Sequence, residues 1–351
     1  MKRTLVLALS LLCFFSITAQ EDTVRAVFDE VDQRAEKLYN EGVKLFSSQK
    51  YSNALAKFDE SVKIRPDFYK AYYNRGIVKA EMKDFNGAVS DFSKVIEFDQ
   101  GEVANAYFNR ARAKESLGDD QAALLDYTGA IGKDPNLEQA FYYRGVIKFE
   151  MQDYGGAVED FSAAIAIKPD YAYAYNDRAS AKRRGEDYDG AIADYKKATE
   201  LDPKLAFAHN NLGSTRRRKD DLQGAVTEYT AAIKAQPDYY LAYNNRGTVY
   251  FDLGKFTEAI KDYDKTIELN PEYAYAYNNR GNAKQKLQNY EGAIADYTRA
   301  IHLNPNYGYA YLNRGIAYEF LRKTAEACDD WKKAAAMGIK IAEGYVNEQC
   351  K

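Results

Sequence analysis

Residues 240–273 read YLAYNNRGTVYFDLGKFTEAIKDYDKTIELNPEY, and residues 274–307, directly after them, read AYAYNNRGNAKQKLQNYEGAIADYTRAIHLNPNY. The two segments align without a gap: Asn244, Asn245, Arg246 and Gly247 fall on Asn278, Asn279, Arg280 and Gly281, Tyr263 on Tyr297, and Pro271 on Pro305. Followed outward, the same period governs the chain. Pro135, Pro169, Pro203, Pro237, Pro271 and Pro305 stand 34 residues apart, and Pro66 precedes them by two periods plus one residue. With each proline at position 32, nine units result: 35–68, 69–103, 104–137, 138–171, 172–205, 206–239, 240–273, 274–307 and 308–339.

Each unit reads as a helix, a turn and a second helix. Position 8 is Gly or Ala and position 20 is Ala in every unit, so two helices can approach closely there. Position 24 is aromatic throughout, from Phe58 to Trp331, at a spacing that sets it on a buried helix face. The second helix stops at the proline, which lacks an N–H and forces the preceding residue out of the helical region.

The set of a 34-residue period, aromatic 4, Gly or Ala 8, Ala 20, aromatic 24 and Pro 32 resembles the tetratricopeptide repeat over about nine tenths of the chain. The resemblance implies an all-α, right-handed superhelical solenoid of antiparallel helix pairs. No single hairpin of this size buries its own apolar face, so neighbours stack. It also implies that the face formed by the first helix of each unit, helix A, holds segments of partner proteins. Two features lie outside the pattern. The second unit has Gln100 for the proline and one extra residue within Gly101, Glu102 and Val103, which marks this junction as the expected flexible joint. Residues 340–351 read as a capping helix, and Cys350 on it comes within reach of Cys328; spacing alone leaves a disulfide and two free thiols equally open.

Several rows of side chains recur. Position 7 is Arg in seven units and position 23 acidic in eight, while the first unit reverses the signs with Glu41 and Lys57. That exchange favours a pair between the two helices over an arginine ladder for anionic ligands. Position 5 is aromatic in units one to four (Tyr39, Tyr73, Phe108, Tyr142) and Asn in units five to eight (Asn176, Asn210, Asn244, Asn278). Position 6 carries Asn74, Asn109, Asn211, Asn245, Asn279 and Asn313, besides Asn40. Asn is a poor helix residue, and a row of amides suits the backbone of an extended peptide; the competing role is bonding within the array. We expect a peptide groove with an aromatic first half and an amide-lined second half. Duplication history would also leave such blocks. The clamp that some members of the family use for carboxylate tails is not supplied by any three consecutive units.

Local basic runs, Lys182-Arg183-Arg184 and Arg216-Arg217-Arg218-Lys219, occupy the end of helix A in units five and six. Cations favour a helix C-terminus in any case. Because other units place Glu115, Glu150 or Asp252 there, the reading is a site for an anionic partner on Arg183, Arg184, Arg217 and Arg218.

The first residues differ from the rest: Lys2 and Arg3, an apolar run from Leu5 to Phe15 broken by Ser10, then Ala19 before a polar stretch. This reads as a signal peptide over 1–19, followed by a helical lead-in over 20–34, and places the protein in the periplasm or outside the cell, with the envelope a further setting. A net charge of -3 disfavours nucleic acid as a partner. His209 and His302, the two histidines, lie too far apart in sequence for a shared metal motif, and no phosphate loop or nucleophile elbow appears. We expect no cofactor, no metal and no catalysis: a scaffold or assembly adaptor that binds an extended peptide, with an exported carbohydrate- or envelope-polymer-binding module as the alternative.

Overall fold

The computed structural model describes residues 29–350; the expected signal peptide, 1–19, and the start of the lead-in lie outside the described residues. Among the described residues there are nineteen helices and no strand. The fold is an all-α array of tetratricopeptide-type hairpins. Helix α1, residues 29–47, takes in the end of the lead-in and continues without a break into the first unit, where it pairs with α2 (Tyr51–Ile64). The A and B helices of the next units are α3 (Tyr69–Glu81) with α4 (Phe85–Phe98), α5 (Val103–Ser116) with α6 (Asp120–Lys133), and α7 (Glu138–Glu150) with α8 (Tyr154–Ile167). They continue as α9 (Ala172–Arg184) with α10 (Tyr188–Leu201), α11 (Ala206–Arg218) with α12 (Leu222–Ala235), and α13 (Tyr240–Asp252) with α14 (Phe256–Leu269). The last are α15 (Ala274–Lys286) with α16 (Tyr290–Leu303), α17 (Gly308–Phe320) with α18 (Thr324–Ala336), and α19 (Lys340–Gln349). The chain forms two compact units, one ending at Lys168 and one beginning at Pro169.

The turn between A and B is the same in all nine hairpins. Position 15 is left-handed in each, at φ values from 58° at Gln49 and Arg322 to 78° at Gly118. Two of the nine are glycines, Gly118 and Gly254, for which this conformation carries no Cβ penalty. One residue later, Asp84, Asp119, Asp153, Asp187, Asp221 and Asn289 cap the B helix by accepting the N–H three residues on.

Within a hairpin the small residue at position 8 lies under the ring at position 24. A Cβ added at Gly281 would stand 2.6 Å from the Tyr297 ring, and one at Gly42 2.7 Å from Phe58. Burial of each ring contributes on the order of 2 kcal/mol, and it requires the close approach that position 8 allows. The array is thus a string of small cores, and within a compact unit a ring can also touch the next helix A, as Tyr195 does with Leu212.

The junction after the second unit is an exposed connection over residues 99–102. Its extra residue is absorbed by two left-handed residues, Asp99 at φ 49° and Gly101 at φ 62°. A Cβ at Gly101 would fall 2.5 Å from the Tyr69 ring, and Lys133 pairs with Asp99 at 2.6 Å. At the other end, α19 covers the last hairpin, with Tyr345 stacked on Trp331 at 4.6 Å. The question left open by spacing is answered in the structure: Cys328 and Cys350 are disulfide-bonded.

Candidate functional site

The rows of repeated residues sort into those consumed by the array and those left for a partner. The Arg at position 7 is consumed. Arg280 donates through Nε and Nη2 to both oxygens of Asp296, at 2.9 and 2.6 Å, and through Nη1 to Asp264 of the preceding unit at 2.6 Å. The same fork joins Arg75 to Asp91, Arg110 to Asp126, Arg144 to Asp160, Arg178 to Asp194, Arg246 to Asp262 and Arg314 to Asp330. Each Asp is buried, and in five units a Lys at position 11 adds a second cation, as Lys284 does to Asp296 at 2.8 Å. Burial works against the charge on Arg280, but its two carboxylates outweigh it and raise its pKa. Unit six reaches the same end differently: Leu212 replaces the Arg, and His209 contacts Glu228 at 3.0 Å while Arg216 reaches it at 3.4 Å. His209, at the position where other units carry an aromatic ring, is therefore a polar partner of Glu228.

The amide rows bond within the array, the role that competes with peptide contact. Asn176, Asn210, Asn244 and Asn278 are buried, and each accepts a hydrogen bond from the position 6 amide of the next unit: Asn211 at 3.3 Å, Asn245 at 2.9 Å, Asn279 at 3.2 Å and Asn313 at 3.0 Å. In the first half the acceptor is a phenol: Asn74 donates to Tyr39 and Asn109 to Tyr73, both at 3.0 Å. The rings of Tyr39, Tyr73, Phe108 and Tyr142 are half-buried against the position 24 rings, with centroids 5.7–5.9 Å apart. The physical reason is pairing of polar groups: an amide in a helix interface must be hydrogen-bonded, and the neighbouring unit offers the partner at a fixed distance.

One sequence signal for this arrangement went unread. Units with Tyr at position 5 have Phe at 24, the third unit has Phe108 with Tyr127, and units five to eight have Asn at 5 with Tyr at 24. Each of the first eight units keeps one phenol across the two positions. When the phenol moves to helix B its oxygen reaches position 9 or 12 of helix A: Tyr195 meets Ser180 at 2.8 Å, Tyr229 meets Ser214 at 3.1 Å, and Tyr297 donates to Asn282 at 2.7 Å. Tyr127 donates to Glu115, whose carboxyl burial pushes up. Burial also pushes Tyr263 up to about 12, so these phenols stay neutral donors at any physiological pH.

What remains open is a series of equivalent clefts along the A helices. Successive A helices approach one another more closely than the B helices do, as α3 with α5, α9 with α11 and α15 with α17, which sets the A face on the inner side of the curve in each unit. Between α3 and α5, in the first compact unit, a cleft of about 410 Å³ is lined by Ile77, Ala80, Phe85, Phe92 and Ala113, with Glu81, Lys83, Asn109, Arg112 and Ser116 as its polar wall. Arg112 is held there by Glu115 at 3.1 Å and lies 4.0 Å over the Tyr143 ring. In the second unit, the cleft between α9 and α11, about 400 Å³, is lined by Arg183, Arg184, Glu186, Tyr188, Ser214 and Arg218. A third, about 490 Å³, lies between α15 and α17 and presents Asn282, Gln285, Gln288 and Asn313 beside Tyr290, which stacks on Phe320 at 4.7 Å. Of the four arginines read as an anionic-partner patch, three line one cleft; Arg217 instead pairs with Asp252 at 2.9 Å.

Among the described residues, no group of His, Cys, Asp and Glu is arranged to hold a metal, and no helix is long and apolar enough to cross a membrane.

Comparison with known proteins agrees with this architecture. Residues 179–220, 213–254 and 247–288 match a family model described as TPR repeat, and residues 274–307 and 69–101 match two described as tetratricopeptide repeat. Serine/threonine-protein phosphatase 5 of Rattus norvegicus is 28% identical over 108 residues, which is 31% of this chain and 21% of that protein. The DnaJ homolog subfamily C member 7 homolog of Schizosaccharomyces pombe is 31% identical over 124 residues, 33% of this chain and 26% of that protein. The chain thus spans about a quarter or less of the length of these relatives. The crystal structure of the APC/C hetero-tetramer Cut9-Hcn1 superposes with a TM-score of 0.55 over 90% of this chain and 76% of that one, at 15% identity, a likeness of fold alone. Period, hairpin geometry and family matches converge: this chain carries tetratricopeptide repeats, and its fold is the array they build.

Proposed function

We propose that this chain is an exported, non-catalytic scaffold or assembly adaptor that holds an extended segment of another protein along the A-helix face. The observation that carries the reading is the recurrence of one cleft, at the same repeat positions, with three different linings: apolar side chains mixed with Glu81, Lys83 and Arg112, basic, and amide-rich with an aromatic wall. An enzyme concentrates its chemistry in one place. Within the second compact unit, a basic and an amide-rich recess at equivalent positions suit side chains of different character at separated points along an extended peptide. Asn109 and Asn313 line cleft walls while their amide nitrogens donate to Tyr73 and Asn278, so it is their amide oxygens that this reading offers to a peptide N–H. The other amides act by fixing the spacing of the A helices.

A photo-crosslinking residue placed in turn at Ser116, Ser214 and Phe320, with Lys197 and Lys234 on B helices as controls, tests this in the native cell. The expected result is one protein trapped from the cleft positions and not from the controls, in the fraction outside the cytoplasmic membrane. Trapping from the B helices alone would refute it. The amide and aromatic lining between α15 and α17 is also suited to sugar hydroxyls, so a crosslinked glycan in place of a protein establishes the polymer-binding alternative.

A further inference from the structure

Seven cations crowd the ends of α9 and α11, and the structure divides them cleanly. Lys182 is spent on Asp194 at 2.7 Å, Arg216 on Asp221 at 2.8 Å, Arg217 on Asp252 at 2.9 Å, and Lys219 on Asp189 at 3.0 Å. Among the described residues no carboxylate pairs with the other three, Arg183, Arg184 and Arg218. Those three line a single cleft of about 400 Å³, with the Ser214 hydroxyl and with Tyr188, over whose ring Arg218 lies at 5.7 Å. Glu186 on the rim is the one opposing charge in the lining. Helix-dipole compensation accounts for cations at a helix C-terminus, but it does not require the unpaired ones of two helices to converge.

We infer that this cleft is the docking site for an acidic stretch of a polypeptide, with two or three neighbouring Asp or Glu side chains entering between α9 and α11. The inference rests on the peptide-scaffold reading above and adds the chemical class of the ligand. Three guanidiniums against one carboxylate leave room for about two anionic groups. A single small inorganic anion, the size of a few waters at about 30 Å³ each, would leave most of the cleft unfilled. Guanidinium forks bind carboxylates by paired, charge-assisted hydrogen bonds, whereas the Ser214 hydroxyl beside them donates to the Asn210 carbonyl at 3.0 Å. Since no carboxylate pairs with the three arginines among the described residues, neutralising them leaves the array's own ion pairs in place.

The test is binding of a fluorescent peptide with six consecutive Glu residues, flanked by Gly and Ser, to the full chain, beside the same peptide with Gln. The variants are the triple Arg183→Gln, Arg184→Gln, Arg218→Gln and the single Arg217→Gln. The expected result is that the Glu peptide binds and the Gln peptide does not, that the triple variant weakens binding at least tenfold, and that Arg217→Gln changes it by less than threefold. Binding should weaken with added salt, and inorganic phosphate should compete only at millimolar levels. A triple variant that binds like the parent, an Arg217→Gln variant that loses as much as the triple, or no binding of the Glu peptide each overturns the inference. A protein still crosslinked from the clefts would then leave the scaffold reading standing with a ligand of other chemistry; loss of both would end both.

Discussion

Replacing Asp296 by Asn should be among the costlier single changes to a surface of this array, although it removes one charge and keeps the shape. Asp296 is 4% exposed and takes three short contacts, two from Arg280 and one from Lys284. Asn keeps one acceptor oxygen and strands two cations beside it. At an effective dielectric of about 20, each contact between unit charges about 4 Å apart represents about 4 kcal/mol before desolvation. Removal of one partner from a buried pair costs about 3–5 kcal/mol. Arg280 keeps Asp264, and the side chains of Arg280 and Lys284 are 18% and 23% exposed, so water recovers part of the loss. The expected cost is about 3 kcal/mol. Asp262 is the internal comparison: Tyr250 stands where a Lys would be, and Arg246 is its sole cation among the described pairs. Burial outweighs Arg246 at Asp262, so Asp262→Asn should cost less than about 1 kcal/mol at neutral pH. Hydrogen exchange read helix by helix is the assay, because a repeat array opens locally. Protection in α15 and α16 should fall about a hundredfold in Asp296→Asn, at about 1.4 kcal/mol per factor of ten, and by less than about fivefold in α13 and α14 for Asp262→Asn. A loss below tenfold at Asp296, or an equal loss at the two sites, would refute the account of these pairs as load carried by two cations.

Three further outcomes follow from the same geometry. Burial raises the pKa of Asp262 more than Arg246 lowers it, so the folded form holds its proton to higher pH than the unfolded chain; stability from this group is present below the ordinary carboxylate pKa of about 4 and is lost as pH rises through the raised value. The cost of Asp262→Asn should therefore shrink on going from pH 3.5 to pH 6, as measured by urea unfolding, and a cost that grows would contradict the direction. Opening the Cys328–Cys350 bond, which closes a 22-residue separation, should weaken the attachment of α19 by about 3 kcal/mol, seen as faster exchange in α19 after reduction and not in α9. Gly281→Val should destabilise by about 1–3 kcal/mol, since its Cβ meets the Tyr297 ring, whereas Gly132→Ala, in the exposed part of α6 with nothing within 4 Å, should stabilise by up to about 1 kcal/mol; thermal unfolding distinguishes the signs.

The repeat, its hairpin and its ion pairs were legible in the chain because they depend on local spacing. A 34-residue period, Gly281 under Tyr297 and the sign reversal at Glu41 and Lys57 each state which positions must meet inside one hairpin. The contacts between hairpins were not legible in the same way. Asn278 and Asn313 are 35 residues apart, and whether such an amide faces a ligand or its neighbour depends on how one unit rotates on the next. The basic run shows the same division. As a string, Arg183, Arg184, Arg217 and Arg218 look alike; packing gives Arg217 a carboxylate at 2.9 Å and gives the other three to one cleft. Periodicity in sequence determines which faces are buried, because helix geometry converts spacing into direction. Stacking of one hairpin on another decides which polar groups are already paired, because a hydrogen bond or ion pair depends on a few tenths of an ångström that no linear spacing records.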